Sequence, residues 1–316
     1  MYFALVLFLL FIIELGYFRL ADKFNIIDRP NERSSHTQIT LRGGGVIFYF
    51  GVLLFFLFSK GVYPWFFAGL TLITGVSFID DIKSVSQGVR LIIHFTALLF
   101  LFYGLGLFAL PIWSVLLLLI VATGVINAYN FMDGINGITG GYSLVLLLGL
   151  TYVNTVVETF VHPYLLYAML AAVMVFNFFN FRVKARCFAG DVGSVGMAFI
   201  LLFLIGRLMW VTQDLSWILF LVVYGVDSVL TIIHRLLLKE NIGLPHRKHA
   251  YQIMANELGR SHVGVSLFYM VLQGLLIIGF LAIPSVYRWS YVLGSILLLS
   301  LAYILFMKKY FKLHQQ

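Results

Sequence analysis

Residues 62–79, VYPWFFAGLTLITGVSFI, run for 18 residues without a charged side chain. A helix needs about 20 mostly apolar residues to cross the hydrocarbon of a bilayer. The run lacks the polar/apolar alternation of a membrane barrel strand, so helix is the remaining way to span. Similar runs recur along the chain, which is 61% hydrophobic, 17% aromatic and only 11% charged. Soluble domains carry about 25% charged residues. The sequence therefore predicts an all-α, polytopic membrane protein, a single domain over residues 1–316. We read eleven spans, at 1–19, 43–59, 62–79, 91–109, 111–127, 137–154, 163–180, 193–211, 215–235, 264–284 and 289–307. Pro111 divides one long apolar stretch, and Glu158 with Pro163 divides another.

Basic residues set the orientation. With the N-terminus outside and the C-terminus cytoplasmic, 18 of the 21 Lys and Arg residues fall on the inner side, and only Lys60, Arg207 and Arg288 fall outside. Basic residues accumulate in cytoplasmic loops, so the split supports both the number of spans and their direction. The first 20 residues have no basic n-region and no base before Arg19, which reads as a first span and not a signal peptide. One cysteine, Cys187, excludes an intramolecular disulfide. The net charge of +8 belongs to juxtamembrane loops, so the partner is the lipid bilayer and no nucleic acid is expected.

Five inner segments carry polar chemistry. FIDDIKS (78–84) places Asp80 and Asp81 side by side where an apolar run meets water. Adjacent carboxylates repel, and a hard cation such as Mg²⁺ offsets that repulsion; a solvated helix end is the plainer alternative. NAYNFMDGINGITGG (127–141) spaces Asn127, Asn130 and Asp133 by three, so they can share one helical face that ends in a glycine turn. FAGDVGSVG (188–196) holds Asp191 in a second glycine-rich turn, whose backbone N–H groups suit phosphate oxygens. Ser194 there is a candidate helix N-cap. GLPHRKHAYQ (243–252) sets Arg247 and Lys248 between His246 and His249, a pattern better suited to anions than to Zn²⁺. Its alternative is a basic loop on anionic lipid heads. IIDRPNERSSHTQITLRGGG (26–45), with His36 and Arg42, covers the site or anchors at the membrane surface. Asp227, Thr231 and His234 form a polar stripe inside the span 215–235, either structural or functional. His94 and His162 receive no role.

Five motifs in order, DRPNERSSH, FIDDIKSVSQGVRL, NAYNFMDGINGITGG, FAGDVGSVGMAF and PHRKHAYQ, resemble the polyprenyl-phosphate N-acetylhexosamine-1-phosphate transferase superfamily, glycosyltransferase family 4. Phospho-N-acetylmuramoyl-pentapeptide transferase is a relative of that group. The resemblance spans nearly the whole chain. It implies transfer of a sugar-1-phosphate from a UDP-acetamido sugar to polyprenyl (undecaprenyl) phosphate, releasing UMP. The site would face the cytoplasm at a bacterial inner membrane, and the reaction would start O-antigen, lipopolysaccharide, capsule or other cell-wall glycan synthesis. It implies Mg²⁺, with Mn²⁺ as a substitute, and a homodimer.

By position, the resemblance implies that Asp80 and Asp81 handle the metal and activate the lipid phosphate, with Asp80 favoured for activation. Asp191 and Asp81 would be metal ligands. Asn130 and Asp133 would contact the nucleotide sugar, Phe188 would stack on uracil with Asn180 as its polar neighbour, and His36 would lie nearby. His246, Arg247 and His249 would hold the diphosphate and sugar, with the histidines in the catalytic set. Asn136 stands where the family often has Asp, and HRKH replaces three consecutive histidines. The second departure favours the hexosamine-phosphate branch over the muramoyl-pentapeptide one. The rival readings are a CDP-alcohol phosphatidyltransferase, which would need an AR pair and two further aspartates after DG, a transporter or flippase, and a non-catalytic binder of polyprenyl phosphate.

Overall fold

A computed structural model describes residues 1–28, 39–241 and 247–310. Each of the eleven predicted segments is helical. The elements are α1 (Tyr2–Lys23), β1 (Ile27–Asp28), β2 (Thr40–Leu41), α2 (Val46–Phe58), α3 (Pro64–Ile82) and α4 (Gln87–Leu105). There follow α5 (Ile112–Phe131), α6 (Ile138–Tyr152), α7 (Pro163–Asn180), α8 (Gly190–Thr212) and α9 (Val222–Leu237). Last come the single turn α10 (Ala250–Gln252), α11 (His262–Ala282) and α12 (Arg288–Tyr310). Among the described residues, ten stretches are long and apolar enough to cross a membrane. The exception, α2, has 13 residues and is about 20 Å long, short of the roughly 30 Å hydrocarbon thickness.

The breaks between spans follow from local chemistry. Pro111 caps α5 and Pro163 opens α7, because proline fits the first turn, where its missing N–H costs nothing. The end of α6 widens into a π turn at Val153–Val157. There Asn154 Oδ1 accepts the N–H groups of Phe160 and Val161, so the chain reverses with its amides satisfied. Before α9 the span 215–235 starts as a 3-10 segment, Leu215–Leu221. The all-α expectation needs one small amendment. β1 and β2 pair antiparallel through Ile27 with Leu41 and Asp28 with Thr40, and Leu41 bridges to Cys187.

The centre of the bundle is α8. Of its apolar window 78% is buried, against 22% for α5 and for the last helix. It packs against α2, α3 and α5. Small residues allow the closest of these approaches: a Cβ at Gly45 would overlap the Gly193 Cα. Buried inside α1, Glu14 meets the Cys187 thiol at 3.7 Å and packs beside Gly44. The sequence reading left Glu14 without a role. Tyr17, one turn on, donates to the Arg42 carbonyl at 2.5 Å. Together these two side chains hold the glycine segment 42–45 against residues 187–193, at the end of the bundle where the polar motifs gather.

Candidate active site

Two spans end where sequence alone would not place them. Helix α3 runs through Asp80 and Asp81 into Ile82, and α8 starts three residues earlier than expected, at Gly190. The two helix ends meet. Asp81 Oδ1 accepts the Asp191 N–H at 2.9 Å, and Oδ2 accepts the Val192 N–H at 3.0 Å. Asp81 thus does for α8 what an N-cap side chain would, from more than a hundred residues away, and its charge complements the positive end of the helix dipole. This corrects two expectations. Ser194 is no cap: it lies inside α8, and its hydroxyl bonds the Gly190 carbonyl at 3.1 Å and Asn130 Oδ1 at 3.4 Å. Two of the backbone N–H groups expected to await phosphate are taken by Asp81. Gly190 makes the fit possible. Its φ is +70°, and a Cβ there would sit 2.5 Å from Asp81 Oδ2 and 2.9 Å from the Gly43 nitrogen.

Two arginines complete this aspartate centre. Arg42 Nε lies 2.7 Å from Asp81 Oδ1, and Arg90 Nη1 lies 2.8 Å from Asp80 Oδ2. Asp80 Oδ1 also accepts the Val85 N–H at 2.6 Å. Asp191 is held more loosely, 3.6 Å from each guanidinium. Neither arginine was assigned a role from sequence, although the second closes the quoted motif around Asp80. Three carboxylates thus face two guanidiniums, and hard oxygens are what Mg²⁺ prefers. Among the described residues no group of three or more His, Cys, Asp or Glu is arranged to hold a metal. Mg²⁺ normally takes one or two carboxylates and completes its shell with substrate phosphates and water. Asp191 fits that pattern best, because its ion pairs are long. Asp81, also expected to bind metal, has both oxygens engaged by backbone N–H groups and Arg42.

The turn after α5 leads away from this centre. Asn127 is exposed and stays apart, whereas Asn130 reaches Ser194 of α8. Asp133 accepts the Thr139 hydroxyl at 2.6 Å. Burial, chiefly, and the nearby Asp191 and Asp81 charges push its pKa up to about 7, against the pull of Thr139 and Arg42. Asn136 shows why this chain departs from aspartate there. Its amide donates to the carbonyls of Arg182 and Val183 at 2.9 and 3.2 Å, which a carboxylate cannot do. Asn180, expected beside the uracil, is buried and works as a brace. Its Oδ1 accepts the Gly137 N–H at 2.7 Å, and its Nδ2 donates to the Cys187 carbonyl at 2.8 Å. Phe188 is half-buried, its backbone bonded to the Leu41 carbonyl and the Gly44 N–H.

A second centre forms around Asp227, which the sequence left undecided. Asp227 Oδ1 lies 3.3 Å from His249 Nδ1 and accepts the Ala250 N–H at 3.1 Å and the Thr231 hydroxyl at 3.2 Å. Its Oδ2 accepts the Tyr269 hydroxyl at 2.6 Å. The carboxylate thereby fixes the imidazole with Nδ1 toward it. The predicted stripe holds for Asp227 and Thr231, with His249 of the following loop as the partner that completes it. The loop itself is anchored by Glu240, which pairs with Arg235 at 3.1 Å and with Lys248. Arg247 is half-buried near Glu257. His36 and His246 lie outside the described residues.

The glycosyl transferase family 4 model matches residues 63–209, the stretch that carries Asp80, Asp81, Asp133 and Asp191. Relatives extend the likeness beyond it. The chain is 28% identical over 277 residues to a Bacillus subtilis protein named probable undecaprenyl-phosphate N-acetylglucosaminyl 1-phosphate transferase, covering 80% of this chain and 76% of the relative. It is 25% identical over 310 residues to the decaprenyl-phosphate N-acetylglucosaminephosphotransferase of Mycobacterium leprae, covering 82% and 77%. It is 26% identical over 262 residues to the undecaprenyl-phosphate alpha-N-acetylglucosaminyl 1-phosphate transferase of Thermotoga maritima, covering 76% of each. The motifs, the meeting of their residues at one end of an α-helical membrane bundle, and these matches support a likeness to glycosyl transferase family 4, the polyprenyl-phosphate N-acetylhexosamine-1-phosphate transferase superfamily.

Proposed function

We propose that this protein transfers N-acetylhexosamine-1-phosphate from a UDP-sugar to a polyprenyl phosphate at the cytoplasmic face of a bacterial membrane. The observation that carries the reading is the aspartate centre, where Asp80, Asp81 and Asp191 converge with Arg42 and Arg90 at the N-terminus of α8. That combination suits a reaction between two phosphorylated substrates. The names of the relatives agree with it. The basic inner loops of the sequence support the orientation, and the O-antigen, capsule or cell-wall role follows from the same family reading.

An oxygen of the acceptor phosphate forms a bond to the sugar-linked phosphorus of the donor. The bond from that phosphorus to the UMP oxygen breaks, and UMP leaves with the electron pair. A phosphate monoester is already mostly anionic near neutral pH, so little proton removal is needed. Positioning and charge stabilisation carry most of the catalysis. Asp80, paired with Arg90, accepts any remaining acceptor proton. Arg42 and Arg90 attract the phosphate oxygens. Asn130 and Asp133 contact the donor, Phe188 stacks on its base, and His249, oriented by Asp227, meets the diphosphate with Arg247. Asp191, with Asp81 beside it, would hold Mg²⁺, which neutralises phosphate charge when bound.

The test is UMP release by the purified protein with polyprenyl phosphate, Mg²⁺ and a panel of UDP-acetamido sugars. The expected result is release with at least one sugar, lost without the lipid phosphate or with a chelator. No release with any sugar, from protein that still binds polyprenyl phosphate, would overturn the transferase reading.

A further inference from the structure

The two centres are joined by one side chain. Tyr251, in α10 and two residues beyond His249, is fully buried. Its hydroxyl donates to the Phe131 carbonyl at 2.8 Å. Phe131 is the last residue of α5, and its carbonyl belongs to the set that a helix C-terminus leaves without an intrahelical partner. The turn after it packs on the phenol at Gly134. A Cβ at Gly134 would overlap the Tyr251 hydroxyl and lie 3.1 Å from the ring carbon that bears it. On the other side, the His249 ring stacks on Tyr251 at 5.8 Å and 24°, and Tyr269 meets it edge-on at 6.4 Å. Asp227 fixes this loop from beneath through His249, Ala250 and Tyr269. The turn 130–134 is therefore held from two directions: Asn130 bonds Ser194 of α8, one turn from Asp191, and Phe131 with Gly134 rests on Tyr251.

We infer that Tyr251 is a positioning residue that sets the register between the turn bearing Asn130 and Asp133 and the loop bearing His249. It touches no substrate. Through its hydroxyl and its ring it fixes the distance between the groups that contact the nucleotide sugar and the imidazole that meets the diphosphate. The inference rests on the transferase reading for its kinetic consequence and on geometry alone for the coupling of the two segments.

The experiment uses the full chain in lipid nanodiscs, with Tyr251→Phe, Gly134→Ala and the double variant. Tyr251→Phe is expected to raise KM for the UDP-sugar about tenfold, the equilibrium effect of one hydrogen bond, with KM for polyprenyl phosphate unchanged. Gly134→Ala is expected to be harmful in the wild type and to add little to Tyr251→Phe, where the hydroxyl it would strike is gone. A purely structural tyrosine would lower the amount of active protein and leave both KM values alone. Equal shifts in both KM values, unchanged KM values, or strict additivity of the two substitutions would overturn the inference. Should Gly134→Ala fail to fold, the KM split of Tyr251→Phe decides by itself. Backbone amide exchange, which needs no turnover, is expected to quicken at residues 130–134 in Tyr251→Phe. If the wild type releases no UMP, the transferase reading falls, and unchanged exchange at those residues would also sink the coupling.

Discussion

The aspartate centre and the Asp227–His249 centre use the same kinds of groups in opposite ways. In the first, three carboxylates share two guanidiniums that keep 34% and 30% of their side-chain surface exposed, and Asp191 meets both only at 3.6 Å. Among the described residues its carboxylates outnumber its guanidiniums by one, and the Asp191 contacts are long. In the second, one carboxylate receives four donors, and Asp227 and His249 retain 4% and 2% exposure. Every oxygen there is used before any ligand arrives. An open, unbalanced cluster can recruit a cation and phosphates. A closed, satisfied one can only orient what it already holds. On the proposed function, the first centre would recruit and the second would orient.

The largest test of this contrast is Asp81→Asn. The amide keeps the size of the carboxylate, but it aims an NH₂ group at an α8 N–H or at Arg42. We expect UMP release to fall about 10³-fold, the scale seen when a preorganised charge-stabilising group is removed, in protein that still elutes as folded. Near-normal turnover would break the comparison, since Asp81 would then be a scaffold cap alone. The next effect is smaller. Asp227→Asn would present an amide to donors that need an acceptor, and it would release His249 from its orientation. A loss of about 10²-fold in kcat is expected. Tyr269→Phe removes one donor of four, so it should cost less than Asp227→Asn in the same assay; a larger loss would mean that Tyr269 does more than support the carboxylate.

How much of this could be read beforehand depends on the range of each interaction. Ten of the eleven segments are legible because crossing a bilayer demands an uncharged run of a given length, whereas α2 is helical but shorter than that; Pro111 and Pro163 mark breaks through purely local sterics. The motif aspartates were legible as polar residues that are costly at the ends of apolar runs. Their partners were not. Asp81 caps a helix that begins 109 residues later in the chain, and nothing in the spacing of FIDDIKS points there. Ser194 looked like the cap because serine commonly is one next to a span; the helix starts before it because Asp81 satisfies the earlier amides. Asp227 and His249 were both noticed, yet the sequence offered no reason to join a residue inside a span to one in a loop. Asn180 and Asn136 sit in polar motifs that suggest a ligand, yet their amides bond carbonyls and an N–H group of neighbouring turns. Glu14 was overlooked because one acid barely disturbs the apolar average of its span.

The smallest effect distinguishes the two centres by their electric fields. Asp133 lies between them, outside the spans, and its pKa of about 7 reflects burial first and then the charges of Asp191 and Asp81. Both of those charges belong to the aspartate centre. A carboxyl whose folded pKa stands above its ordinary 3.8 holds a proton that the unfolded chain has released. Unfolding then releases that proton, so stability falls as pH rises from 3.8 to about 7 and levels off above it. In a chelator, thermal unfolding of the wild type should therefore show a downward slope, to which Asp81 and Asp191 also contribute, and Asp133→Asn should make it shallower. Asp191→Asn removes one of the nearby negative charges, so the upper end of the slope should move to lower pH. Asp227→Asn should leave it in place. If Asp227→Asn moved the slope and Asp191→Asn did not, Asp133 would belong electrically to the histidine centre, and the division between an open recruiting cluster and a closed orienting one would have to be redrawn around it.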